Sequence, residues 1–341
     1  MTIESVAMIT PYKVRCGIAS YSQDLSEALA ELGIDVYIVK IPRFGMKFPQ
    51  IFNAVAESIP VDKVDIVHVQ HEYGLYHTLD AGFYRVLSKL GKPLVTTMHA
   101  IGNWEVDRLI ADSSDRVIVH NEFCFKRFEF PEKTGIIPHG CSSVECTPKE
   151  EAKRLMAVPP EAPVVGYCGF ISTYKGLEIL IEAMTEIPQA ALLMCGGWHT
   201  EVDTSYIAGL KARTLELLEG RCLWTGYVPD ESLPNAYGAM DVVVYPSKFA
   251  TESGALLKAL GHGKAVIASN LPPFAEKEEL GALMTFNDLE DLREKIRLLL
   301  TDDDTRGKLE AGAMTYAETN SWANVAEQHI ELYEKILNST P

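Results

Sequence analysis

Twice along this chain the same three-part rhythm recurs: a short apolar run, a polar or glycine-bearing turn, then an amphipathic helical stretch. In the first half the apolar runs fall at 6–10, 36–40, 66–70, 94–99, 116–120 and 135–138. In the second they fall at 164–168, 191–195, 222–225, 241–245, 265–269 and 282–285. Runs this short and this continuously apolar suit strands buried on both faces, with the intervening helices as cover. The stretch SYSQDLSEALAELG (20–33) shows the helical part, with Leu25, Ala28, Leu29 and Leu32 on one face and Gly33 as the stop. Alternating strands and helices define an α/β chain with parallel sheets. The rhythm restarts after 141–163, a segment holding Pro148, Pro159, Pro160 and Pro163 that reads as a linker. Two Rossmann-like, doubly wound domains are therefore expected, 1–148 and 149–319. A final helix within 320–341 is long enough to return to the first, and 341 residues leave room for two domains of ordinary size.

In open parallel sheets ligands bind beyond the carboxyl ends of the strands. In the first half those ends are Thr10 with the loop to Gly17, Lys40, Gln70-His71-Glu72, His99, Asn121 and His139-Gly140. In the second they are 169–175, Gly196-Gly197-Trp198, Gly226-Tyr227, 247–254 and Ser269-Asn270. Two such edges facing one another would make a polar cleft between domains, a common small-molecule site.

The stretch VVVYPSKFATESGALLKALGHGKAVIASN (242–270) carries the most chemistry. It reads as strand, polar loop, helix 254–261, strand. Ser253 stands at the N-cap, and Gly254 lets backbone approach a ligand closely. The bare N–H groups of that helix start form a ready anion site, suited to phosphate. An ordinary βαβ unit with a serine cap has the same appearance, so the neighbouring motifs decide. GFISTYKG (169–176) places Lys175 at the start of the next helix, where a cation is unfavourable unless an anion compensates it. A solvated loop lysine is the plainer reading, but a diphosphate explains the placement better. CGIASYS (16–22) brings Gly17 to the edge of the first sheet, and neither GxGxxG nor a Walker loop occurs anywhere.

QHEYGLYH (70–77) sets His71 and Glu72 just past a strand end, where acceptor binding or proton handling is at home. His68 and His71 are three apart, so a strand points them to opposite faces and they are not expected to share a metal. His139, Cys141 and Cys146 lack a second ligand pair, and no zinc site is expected. The aromatic-basic run KIPRFGMKF (40–48) follows a strand end and suits either an acceptor contact or a plain surface loop.

Seven cysteines, several inside apolar runs, favour reduced core thiols and a cytoplasmic setting. No apolar run approaches the roughly 20 residues of a membrane span, and no signal core is evident. The net charge of −16 argues against general nucleic-acid binding. The acid excess is concentrated after residue 148, which leaves peripheral membrane contact open to the first half. Composition says nothing about oligomeric state.

Taken together, GIASYS, TMH, IIPHG, GFISTYKGLEILIEAM, DVVVYPS, LLKALGHGKAVIAS and the closing SW…LY helix resemble the retaining GT-B glycosyltransferases of glycosyltransferase family 4. The resemblance spans nearly the whole chain and implies two Rossmann-like domains facing across a cleft. It further implies a donor diphosphate held by Lys175, Gly17 and the Ser253-Gly254 backbone. His99 would lie against the donor sugar near the reacting carbon, with His99 and Lys175 as the catalytic pair. Tyr227 and Val228 would flank the nucleotide base, and His71 and Glu72 would meet the acceptor. No metal or other cofactor is implied; the nucleotide-diphosphate sugar is a co-substrate, and the acceptor is a glycan, a lipid-linked saccharide or a small molecule. Three positions depart from the pattern. Phe170 stands where the family has arginine, and Ala250 and Lys258 stand where it has two glutamates. A TESGA-type loop in which Glu252 and Ser253 hold the donor, with Lys258 on the nucleotide side, is the expectation here. The alternatives are a GT-B sugar epimerase or phosphorylase using the same cleft, and a non-catalytic nucleotide-sugar-binding protein.

Overall fold

The computed structural model describes residues 2–42, 49–76, 80–197 and 204–339. The chain divides into two compact units, Met1–Gly140 with Asn320–Pro341, and Cys141–Thr319.

The first unit is a six-stranded parallel sheet. Its strands are β1 (Ser5–Thr10), β2 (Asp35–Lys40), β3 (Ile66–His71), β4 (Leu94–Met98), β5 (Arg116–Val119) and β6 (Thr134–Ile136), in the order β2-β1-β3-β4-β5-β6. β1 is buried at all six positions because strands flank it on both sides and helices cover both faces. β2, at the edge, is partly exposed. Between the strands run α1 (Gly17–Glu31), α2 (Pro49–Glu57), α3 (Tyr73–Tyr76), α4 (Asp80–Leu87), α5 (Glu105–Ser113) and α6 (Glu122–Phe128). On one face Ala7, Ile9, Val67 and Val69 pack with Phe52 and Phe83. On the other, Val6, Met8 and Ile66 pack with Leu25 and Leu29 of α1 and with Val325 and Tyr333 of the terminal helix, Trp322–Ser339. Leu25, Ala28 and Leu29 are buried as their spacing predicts, and Gly33 ends the helix at φ 87°. Leu32 is the exception. It is the C-cap of α1, outside the helical repeat, and 41% exposed.

The second unit repeats the plan with β7 (Val164–Cys168), β8 (Ala191–Cys195), β9 (Cys222–Gly226), β10 (Val242–Tyr245), β11 (Ala265–Ser269) and β12 (Met284–Phe286). Its helices are α7 (Lys149–Leu155), α8 (Leu177–Ala183), α9 (Thr204–Leu217), α10 (Leu233–Ala239), α11 (Gly254–Gly261), α12 (Pro272–Glu279), α13 (Leu289–Thr301) and α14 (Asp303–Thr319). The strand order is β12-β11-β10-β7-β8-β9. The chain winds outward from β7 to β9, returns to β10 beside β7, and winds the other way. The carboxyl ends of β7 and β10 are therefore the topological switch point, where such sheets take their ligands.

The proline-bearing segment 141–163 is not a free linker. Cys141 is buried, with its thiol against the Leu257 carbonyl at 3.1 Å, and Ala152 of α7 is fully buried. Lys149 pairs with Asp241, and Lys153 Nζ donates to the carbonyls of Pro160 and Ala162 at 2.8 Å each. These contacts put the unit boundary at 140/141 rather than at 148. All seven cysteines are free thiols. Among the described residues no helix is long and apolar enough to cross a membrane.

Candidate functional site

At the switch point of the second unit, β10 runs into a loop that ends on α11. Ser253 caps this helix, its Oγ accepting from Leu256 N at 3.3 Å, and Gly254 is exposed. Ser253 N donates to Glu252 Oε1 at 2.8 Å. Among the described residues the N–H groups of Gly254 and Ala255 have no acceptor. Two free donors at the positive end of a helix are half of an anion site. The tip is held from beneath: Tyr245 Oη reaches the Ala255 carbonyl at 2.6 Å and the Cys168 carbonyl at 3.0 Å, joining α11 to the end of β7.

The other half comes from the loop after β7. Gly169 lies against α11, since a Cβ there would meet Ala255 Cβ at 3.1 Å. Lys175 closes a 3-10 turn, Thr173–Lys175, and is separated from α8 by Gly176 in the left-handed region at φ 64°. A Cβ on Gly176 would stand 2.2 Å from the Pro246 carbonyl oxygen, and Lys248 N donates to Tyr174 O at 2.8 Å. The lysine turn is thus laid directly on the loop that leads to α11. Lys175 is only 8% exposed and has no ion-pair partner among the described residues; its Nζ lies 4.8 Å from the Tyr174 ring centroid. Desolvation lowers its pKa to about 8. A buried cation with no ion-pair partner among the described residues, on a turn laid against the loop that leads to free N–H donors, suits an anion with several oxygens.

Glu252 is differently placed from its expectation as a sugar-hydroxyl acceptor. Its Oε2 is 2.9 Å from Lys277 Nζ of α12, in a pair whose side chains are 4% and 7% exposed, while its Oε1 holds Ser253 N. The carboxylate is turned into the protein and locked there. Lys258 of α11 faces Asp230 at 2.8 Å, which ties the helix to the loop carrying Tyr227 and Val228. Val228 packs on the core, and Tyr227 is 41% exposed beside Gly197. Tyr227, Val228 and Lys258 therefore share one neighbourhood. Lys277 and Asp230, which organise it, were not signalled by the sequence, since their partners lie 25 and 28 residues away.

On the first unit His99 follows β4 and is half-buried. Its Nε2 is 2.9 Å from Gln70 Oε1 and its Nδ1 is 3.4 Å from His120 Nε2. The Tyr21 ring of α1 meets it edge-on at 4.7 Å, and His120 is fixed by the Ile137 carbonyl at 3.1 Å. Burial first, then the neighbouring imidazoles of His120, His139, His68 and His71, keeps His99 well below the usual histidine range. It is a neutral hydrogen-bonding group at pH 7. Gly17 is exposed at the N-terminus of the 15-residue α1.

His71, expected on the acceptor side, lies inside the first unit. It is fully buried, stacked on Tyr76 at 4.6 Å and set beside Tyr84, with its pKa lowered to about 3 by burial. It packs on the sheet face opposite to His68, which bonds Tyr333 of the terminal helix at 2.6 Å. Glu72, the next residue, is half-buried at the strand end. Residues 43–48 of the aromatic-basic run and Trp198 lie outside the described residues. Among the described residues no group of three or more His, Cys, Asp or Glu is placed to hold a metal ion.

Two six-stranded, doubly wound parallel units are the GT-B glycosyltransferase architecture. Residues 162–302, all within the second unit, match the family described as glycosyl transferases group 1. The D-inositol 3-phosphate glycosyltransferase of Corynebacterium jeikeium is 28% identical over 216 residues, 59% of this chain and 51% of that protein. The chain thus aligns with about half the length of the curated relatives it matches. Sucrose-phosphate synthase from Thermosynechococcus elongatus has the same fold, with a TM-score of 0.82 at 20% identity over 99% of this chain and all of that one. Anabaena HepE, solved with UDP and glucose, matches at TM-score 0.80 and 18% identity, over 97% of this chain and all of that one.

Proposed function

We propose that this protein is a retaining glycosyltransferase that needs no metal. It moves a sugar from a nucleoside-diphosphate sugar to a hydroxyl of a glycan, lipid-linked or small-molecule acceptor, in the cytoplasm and in part at the membrane surface. The observation that carries this reading is the buried Lys175, with no ion-pair partner among the described residues, on a turn laid against the loop that leads to the free N–H groups of Gly254 and Ala255. In the proposed reaction the bond from the anomeric carbon to the diphosphate breaks, and Lys175 with the α11 N–H groups stabilises the departing charge. The acceptor oxygen attacks from the same face, and its proton passes to the leaving phosphate oxygen. Neutral His99, held by Gln70, serves the donor sugar, and Gly17 at the tip of α1 helps hold the diphosphate. Tyr227, Val228 and Lys258 hold the nucleoside, and Glu72 lies on the acceptor side. The names of the relatives, a glycosyltransferase acting with inositol phosphate and a protein bound to UDP and glucose, support this substrate class.

The test uses UDP-, GDP- and ADP-activated hexoses with an acceptor panel, following nucleoside diphosphate release and product configuration by NMR. Slow release without acceptor and retained configuration with it are expected, both lost in Lys175→Ala. Epimer formation, or tight donor binding without turnover, would replace transfer by epimerisation or by simple binding.

A further inference from the structure

The Glu252–Lys277 pair has no part in the reaction as written, yet it lies directly under the anion-binding tip. Glu252 is the residue before the N-cap of α11, and its side chain holds the N-cap amide. Lys277 reaches it from α12, which follows the neighbouring strand β11, and is itself fixed by the Pro273 carbonyl at 3.2 Å. A carboxylate at the mouth of a diphosphate site is unfavourable unless its charge is cancelled close by. Here the cancelling charge is buried and bound at 2.9 Å.

We infer that Lys277 is a positioning residue of the donor site, neutralising and clamping Glu252 so that α11 presents its Gly254 and Ala255 N–H groups to the diphosphate. This rests on the glycosyl-transfer reading above. It also gives Glu252 a different task from holding sugar hydroxyls: it works through the helix tip. Among the described residues, the ionisable groups that face the pair include Tyr316 of α14, whose ring centroid is 5.8 Å from Lys277 Nζ, Cys141, and Glu276 on α12 itself. Removing Lys277 takes away the buried cation that Glu252 Oε2 bonds at 2.9 Å. Its carboxyl then takes up a proton nearer neutrality, and its charge at higher pH opposes an incoming anion.

The experiment measures UDP, GDP, ADP and inorganic pyrophosphate binding by titration calorimetry between pH 6 and 8.5. It compares wild type with Lys277→Arg, Lys277→Met and the double variant Glu252→Gln/Lys277→Met. Lys277→Met should bind about tenfold or more weakly at pH 8 and recover relative to wild type as pH falls. The double variant should return to within about threefold of wild type and lose that extra pH dependence, and Lys277→Arg should bind like wild type. If Lys277→Met does not fold, the double variant still decides the matter, because weak binding there contradicts the inference. Wild-type affinity in Lys277→Met across the pH range would also overturn it. Absence of any diphosphate binding by wild type would instead overturn the functional reading beneath it.

Discussion

Lys175 holds the central tension of this protein, because burial with no ion-pair partner among the described residues costs stability that a bound anion restores. Its pKa of about 8 lies below the 10.5 of an unfolded lysine, so the unfolded chain binds a proton more readily than the folded one. Stability therefore rises with pH between about 8 and 10.5, and below 8 the penalty is fully present. A shift of this size corresponds to about 3 kcal/mol at neutral pH. Lys175→Met should accordingly raise the denaturant midpoint of the ligand-free protein at pH 7 while removing anion binding. A variant less stable than wild type at pH 7 would contradict this account of the site. Calorimetry in buffers of different ionisation enthalpy should also show proton uptake on diphosphate binding above pH 8. The sequence made Lys175 legible because a cation in a glycine-bounded loop after a buried strand is unusual. It could not show the roles of Lys277 or Asp230, because long-range pairing is decided by how α12 and the loop after β9 pack. Nor could it show the burial of His71, because the covering by Tyr76 and Tyr84 depends on how the segment after β3 packs.

Among the elements, the loops at the β7/β10 switch point matter more than the helices they join. Gly176 combines a left-handed backbone with close approach to the Pro246 carbonyl, so Gly176→Ala adds strain and a clash together. It should cost about 1–3 kcal/mol in chemical denaturation and weaken diphosphate binding, since it pushes the Lys175 turn off the α11 loop. Gly33→Ala, at a left-handed position with open space, should lower stability without touching binding. Equal loss of binding in both variants would show that the lysine turn is not specifically coupled to the site. The strands of the described residues were readable as short apolar runs, most plainly β1, β7 and β10, which are buried at every position. The segment 141–163 was misread because its prolines resemble a linker, although Ala152, Lys153 and Cys141 anchor it to the second unit.

For the molecule as a whole, the two units differ in what they bury. The first holds His68, His71 and His329 with no exposure at all, each lowered by burial, His71 to about 3 and His329 to about 4. Unfolded histidines take up protons near pH 6.5 while these stay neutral, so stability is lost as pH falls below that value. Each such imidazole removes about 1.4 kcal/mol per pH unit between 6.5 and its own folded value. Hydrogen exchange at pH 5 should therefore show the first unit, Met1–Gly140 with the terminal helix, opening before the second; the reverse order would contradict it. The doubly wound plan of both units was legible in the sequence, since it follows from strand spacing. The reacting nucleotide, sugar and acceptor were not, because they depend on how a few side chains are turned. The central claim is that the second unit grips a diphosphate between Lys175 and the bare tip of α11. Its most direct test is a thermal-shift and calorimetric comparison of wild type, Lys175→Ala and, as a control at an exposed lysine of the first unit between β1 and α1, Lys13→Ala with UDP, GDP and ADP. A nucleotide at about 100 times its dissociation constant should add roughly 2.7 kcal/mol to wild type and to Lys13→Ala, and almost nothing to Lys175→Ala. Equal stabilisation of all three proteins, or of none, would contradict it.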